Sequence, residues 1–226
     1  MKPISTVVST TIAALSCVVA ASSLMPARAA SLSFDVYSFT GDSAKAKITL
    51  TEVGEGVKFA VDVVPSPNIG DLRGVFFNIA DDSLLSGLSI TGLNLGTTQF
   101  NASSVINLGG GATLSGYSGG NFDAGVEIGK SGIGKGDDFQ SAMFTVSHSS
   151  AVLTLEQFAN QYFGVRITSV GLSGTARNGS SKLAGQAPVL PEKPDTSEDP
   201  TEVPEPSAAL ALGLVAIGAQ QLRRQG

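Results

Sequence analysis

The feature that most constrains this chain is a two-residue period. Ala44, Ala46, Ile48 and Leu50 alternate with Lys45, Lys47, Thr49 and Thr51, and Val57, Phe59, Val61 and Val63 alternate with Lys58, Ala60 and Asp62. Successive side chains of a strand point to opposite faces, so each run has one apolar and one polar face. Glu52-Val53-Gly54-Glu55-Gly56 lies between them, and two alternating runs around a short glycine-containing loop predict a β-hairpin with one buried face.

The same period extends through the middle of the chain. Leu32 to Phe39 reads as a strand before the hairpin. Pro65 to Gly70 reads as a loop because of its prolines. Leu72 to Ala80 is apolar on both faces around Val75 and Phe77, as a central strand is. Further strands are expected at Leu88–Leu95, Thr98–Leu108, Ala112–Tyr117, Phe122–Ile128, Phe139–His148 and Tyr162–Val170, with glycine-rich turns between them. One short helix is expected where Thr154 and Gln157 form a capping-box pair and Leu155, Phe158 and Ala159 form an apolar stripe. Charged residues make up only 15 % of the chain against 27 glycines, a mix that favours strands and turns. Together these patterns predict an all-β, antiparallel β-sandwich of jelly-roll type spanning residues 30–186.

The inventory of reactive groups is thin. His148 is the lone histidine and no G-x-S-x-G elbow accompanies it, so no enzyme is expected. Cys17 is the lone cysteine, which excludes a zinc site of His and Cys ligands in the domain. Basic residues in the middle of the chain form no run and the net charge is -5, so no nucleic-acid partner is expected, since phosphate binding needs clustered cations. The loop Gly132-Ile133-Gly134-Lys135-Gly136-Asp137-Asp138 sets two hard carboxylates beside flexible glycines, a candidate calcium site through Asp137 and Asp138. Its G-x-G-x-D portion resembles one unit of a calcium-binding β-roll repeat. Otherwise no cofactor is expected. Among the three tyrosines, Tyr117 in Gly116-Tyr117-Ser118-Gly119 is the candidate for stacking on a sugar ring, weighed against a half-buried tyrosine at a strand end.

Two addresses flank the domain. Residues 1–29 have a basic Lys2, an apolar Val7 to Ala21, and small residues at Ala27 and Ala29, the pattern of a Sec signal peptide cleaved after Ala29. Residues 187–203 are rich in proline and carboxylates, which predicts a disordered linker that cannot bury enough apolar surface to fold. Residues 204–226 read in three parts: Pro204-Glu205-Pro206-Ser207, an uncharged apolar stretch to Ala219, and Arg223-Arg224 near the end. A helix from Ser207 to Leu222 spans only about 24 Å, short of a bilayer core of roughly 30 Å. It therefore suits a transient span of the inner membrane better than a permanent one, with the arginines on the cytoplasmic side.

Val203 to Ser207, the apolar segment and the terminal Arg223-Arg224 resemble the PEP-CTERM sorting signal of Gram-negative bacteria and cyanobacteria. That resemblance implies recognition of Pro204, Glu205, Pro206, Arg223 and Arg224 by an exosortase, a membrane cysteine protease. Release or transfer to the periplasm, outer membrane or cell surface would follow, often alongside exopolysaccharide or biofilm. Gly70-Asp71-Leu72-Arg73-Gly74-Val75-Phe76-Phe77 is similar to domains that often precede this signal in cyanobacterial proteins. The expected protein is an exported, surface-sorted β-sandwich of structural or adhesive type. The alternatives are a carbohydrate- or calcium-binding module and, further off, a secreted hydrolase.

Overall fold

The alternating runs pair into an all-β, antiparallel fold. In the computed structural model, residues 29–130 and 137–191 are described. The strands are β1 (Ser31–Gly41), β2 (Lys45–Val53), β3 (Gly56–Val64), β4 (Asn68–Phe77), β5 (Leu88–Gly92), β6 (Leu95–Val105), β7 (Phe122–Ile128), β8 (Ser141–His148), β9 (Tyr162–Leu172) and β10 (Gly179–Gln186). They form one ten-stranded sheet in the order β5-β8-β3-β2-β1-β10-β9-β4-β7-β6. The predicted hairpin is β2–β3, with Val53 paired to Gly56 across a two-residue turn. Gly54 takes a φ of +56° there, a conformation such turns assign to glycine.

The two edge strands, β5 and β6, are consecutive in the chain and joined only by Leu93 and Asn94. The sheet therefore curls almost into a barrel, and the two layers of the expected sandwich are two halves of one sheet. Phe59 on β3 marks where the halves meet. Its ring lies 5.1 Å from Phe77 on β4, 6.1 Å from Phe163 on β9, 5.0 Å from Phe144 on β8 and 5.3 Å from Phe158. Val36, Ile48, Leu50, Val61, Val146 and Val165 are fully buried around it. Burying each such side chain contributes about 1.5–3 kcal/mol, and each well-oriented aromatic pair about 0.5–1.5 kcal/mol more.

A second apolar cluster lies on the other side of the sheet. Phe76, Val105, Leu108, Ala112, Leu114 and Phe122 pack together, with Phe39 and Tyr117 against them. It forms because the long β6–β7 connection, residues 106–121, folds back over β4, β7 and β9. This is why Leu72 to Phe77 is buried at every position and reads as apolar on both faces. At Gly164 a Cβ would lie 2.2 Å from Leu114 Cδ1, so the missing side chain lets the connection seat on the sheet.

Three expectations change. Ala112–Tyr117 is not a strand and makes only an isolated bridge, Asn107 with Thr113, because Gly109, Gly110 and Gly111 all have positive φ and turn the chain tightly. The expected short helix is a 3-10 turn, Leu155–Gln157, although the Gln157 side chain does accept the Thr154 N–H at 2.7 Å. A second 3-10 turn spans Asp82–Gly87. Strand β10 was not foreseen: Gly-Ser-Ser-Lys-Leu-Ala-Gly-Gln holds one large apolar residue, Leu183, and is ordered by the strands on either side.

Both ends of the domain emerge together. The Ala30 carbonyl accepts the Glu52 N–H at 3.1 Å, and the Glu52 carboxylate accepts the Leu155 N–H at 2.8 Å. Nearby, the Pro188 carbonyl accepts the Asn160 N–H at 3.2 Å and the Gln161 carbonyl accepts the Ala187 N–H at 2.9 Å. Among the described residues no helix is long and apolar enough to cross a membrane. Contacts divide the chain into Met1–Pro188 and Val189–Gly226, and of the second unit only residues 189–191 are described.

Phe59→Ala should destabilise the domain by about 3–5 kcal/mol, the cost of a large buried cavity. Denaturant unfolding should show a lower midpoint at unchanged slope, and Phe59→Leu should recover part of the loss.

Candidate functional site

Asp137 and Asp138 lie at the end of the domain away from Ala30 and Pro188, while residues 132–136 of the candidate calcium loop lie outside the described residues. The two carboxylates serve different partners. Asp137 Oδ2 accepts the Lys130 N–H, and Asp138 Oδ1 pairs with Arg177 Nη2 at 2.5 Å. Arg177 is buried, and among the described residues its Nη1 has no hydrogen-bond partner. Beside them Asp71 is fully buried, accepting the Phe139 N–H at 3.0 Å and the Thr168 hydroxyl at 3.3 Å. Burial raises the Asp71 pKa above the usual carboxylate range, only partly offset by those hydrogen bonds and by Arg73. Among the described residues no three His, Cys, Asp or Glu side chains gather as a metal-ligand group.

A buried ion pair ties the β6–β7 connection to the sheet. Arg73 on β4 is fully buried; its Nη2 donates to Glu127 Oε1 at 2.7 Å and to the Gly110 carbonyl at 3.0 Å, and its Nη1 to the Ile128 carbonyl. Glu127 Oε2 accepts the Thr97 N–H at 3.2 Å. The arrangement is structural: it fixes β4, β6, β7 and the glycine turn to one another.

His148 caps a turn. Its Nδ1 accepts the N–H groups of Ser150 at 3.1 Å and Ala151 at 2.9 Å, so the ring proton resides on Nε2, which packs against Gly87. Asp81 accepts the Ser83 N–H at 2.9 Å and caps the Asp82–Gly87 turn; the Ser83 side chain first, and then this backbone N–H, lower its pKa.

Tyr117 is a packing residue rather than an open platform. Its ring stacks on Phe122 at 5.7 Å, with Phe39 at 5.1 Å and Tyr162 at 6.1 Å. A Cβ on Gly119 would lie 2.5 Å from the same ring. Burial first, then Tyr162, pushes its hydroxyl pKa up. The open tyrosines are Tyr37, 57 % exposed, and Tyr162, 37 % exposed.

Strand register places both on one face. Tyr37 on β1 pairs with Ala184 on β10, which pairs with Gly164 on β9. Tyr162 lies two residues from Gly164 and so shares its face. Lys45 and Lys47 on β2 pair with Tyr37 and Asp35 and extend this face. Lys45 Nζ lies 2.8 Å from Asp35 and 5.6 Å from the centre of the Tyr37 ring. The hydrogen bond between them lowers the Asp35 pKa and raises that of Lys45. Lys182, also on this face, donates to the Ser115 carbonyl at 2.6 Å. The sequence singled out neither Tyr37 nor Tyr162. Alternation alone puts Tyr37 on the polar side of β1, but joining it to Tyr162 requires β10 between them.

Ala29 begins the described residues, while Pro204, Glu205, Pro206, Arg223 and Arg224 lie outside them. The chain matches no known family model, and comparison with curated proteins and with solved structures found no similar protein.

Two outcomes follow from the buried charges. Glu127→Leu leaves Arg73 uncompensated and should cost about 3–5 kcal/mol, while Arg73→Met with Glu127→Leu should recover much of it. A carboxyl whose folded pKa is raised contributes stability at low pH that is lost as pH rises through that value. Asp71→Asn should therefore be more stable than wild type at neutral pH. The difference should shrink as pH falls and wild-type Asp71 protonates, as read from unfolding curves across pH.

Proposed function

We propose that this is an exported, surface-sorted β-sandwich protein of structural or adhesive type. The Sec machinery carries it across the inner membrane, its tail holds it there in transit, and an exosortase trims it at Pro204-Glu205-Pro206. The observation that carries this reading is the order of the tail: a Pro-Glu-Pro motif, an uncharged apolar stretch and a terminal arginine pair. No catalytic role is assigned to His148, whose acceptor nitrogen is taken up by the turn it caps.

The fold supports the reading in two ways. Its strands begin at Ser31 and end at Gln186, so removal of both addresses leaves every strand intact. Its two ends also emerge side by side, through Ala30 at Glu52 and Pro188 at Asn160. A domain built this way is held from one end, with its strands running away from the point of attachment.

Protein from the native host should show a mature N-terminus at Ala30, because the Ala30 carbonyl accepts a hydrogen bond that cleavage one residue later would remove. The intact mass should show loss of the tail in a strain with its exosortase and a retained tail without it. An identical, untrimmed mass in both strains would sink the sorting reading.

A further inference from the structure

We propose that the outer face of β2, β1, β10 and β9 binds an acidic polysaccharide, with sugar rings against Tyr37 and Tyr162 and anionic groups at Lys45, Lys47 and Lys182. The rings come first. Tyr37 and Tyr162 leave apolar ring surface exposed on a face that is otherwise polar. Two strand spacings and a two-residue offset set their Cα atoms about 12 Å apart along that face. Ala184 and Gln186 lie between them: Ala184 has the smallest side chain that a strand can carry short of glycine, and the Gln186 amide is drawn toward Asn160, to whose carbonyl it donates at 2.9 Å. An extended chain of sugars offers apolar ring faces at intervals, which aromatic side chains with a polar tip are suited to receive.

Charge identifies the class. The chain carries a net charge of -5, yet four of the five lysines among the described residues (Lys45, Lys47, Lys58 and Lys182) project from this face and its continuation onto β3. Among the described strand residues of this face only Asp35 and Asp62 oppose them, and Lys47 stands in register between the two. A neutral glycan would leave this local excess of positive charge unused, while an anionic one is complementary to it. Four lysines on three strands, β2, β3 and β10, are too sparse for a nucleic-acid backbone.

The face is also held in place. β1, β10 and β9 are interior strands of the sheet, paired on both sides. Tyr117 braces Tyr162 from the side at 6.1 Å, and Lys182 is fixed by Ser115. Side chains already ordered before binding lose less freedom on binding.

The inference rests on the proposed surface destination only for where such a polymer is met, since binding is a property of the folded domain. The test titrates the full mature chain with polygalacturonate, dextran sulfate and neutral dextran, by affinity electrophoresis and calorimetry. Binding to at least one acidic polymer and not to dextran is expected, and the two acidic arms decide between carboxylate and sulfate. Tyr37→Ala and Tyr162→Ala should each weaken binding about tenfold, the loss typical of an aromatic anchor, while Tyr37→Phe should bind like wild type. Lys47→Glu should weaken binding and reduce its salt dependence, while Lys130→Glu, off this face, should leave it unchanged. Melting curves establish that each variant is folded, and Lys47→Glu carries the test if a tyrosine variant is not. No binding to either acidic polymer, equal binding of dextran, or wild-type affinity in both alanine variants would overturn the proposal. An untrimmed tail in the host would leave these titrations standing.

Discussion

Closure of one sheet onto itself around Phe59 is the constraint on which the rest of this structure depends. A ten-stranded sheet with one apolar face must bury that face, and here it does so against its own other half. β1, β2 and β10 supply mainly aliphatic residues such as Val36, Ala46 and Ile48, with Phe34 edge-on to Phe163, while β3, β4, β8 and β9 supply Phe59, Phe77, Phe144 and Phe163. Because β5 and β6 are joined by two residues, the turn at Leu93 and Asn94 holds the two sheet edges beside each other. Edges held in this way are less available to a foreign strand, and β6 is further broken by register shifts along its pairing with β7.

The closed interior leaves function to the outer surface. On one side the 106–121 connection covers β4, β7 and β9 and is clamped by Arg73, Glu127 and Lys182. Where that cover stops, Tyr117 and Tyr162 meet and Ser115 holds Lys182, and beyond them no described segment lies over the face of β1 and β2. The arginine that reads as an ordinary strand residue thus has a further effect. By holding Gly110 onto the sheet beside Glu127 it fixes one part of that cover in place.

How much of this was legible in the sequence depended on whether the signal was local. The β2–β3 hairpin, the two-faced β4 and the Thr154–Gln157 capping box were readable because each is written in consecutive residues, although the short helix expected after that box is only a 3-10 turn. Strand β10 was not, since Ser181 and Leu183 point inward only because Ile167 and Val165 lie beside them. Segment 112–117 misled because Ala112, Leu114 and Tyr117 are indeed buried or half-buried, but as an irregular cover rather than as a strand. Tyr117 was singled out for its glycine neighbours, and those glycines are what pack it: Gly119 closes over the ring. The more exposed rings, Tyr37 and Tyr162, sit 125 residues apart in sequence and become neighbours only through β10.

The polarity of the domain links its two proposed roles. The chain leaves the domain at the end with Ala30 and Pro188, and the Asp138–Arg177 pair lies at the opposite end. The tyrosine–lysine face runs along the strands between those ends. It is therefore lateral, and neither removal of the signal peptide after Ala29 nor trimming at Pro204-Glu205-Pro206 removes any of its residues. A lateral face can meet a long polymer lying beside the domain while the tail is still held, which an end-on site at the membrane side could not do. Recognition and release can then be separate events, one set by β1, β9 and β10 and the other by the last 23 residues.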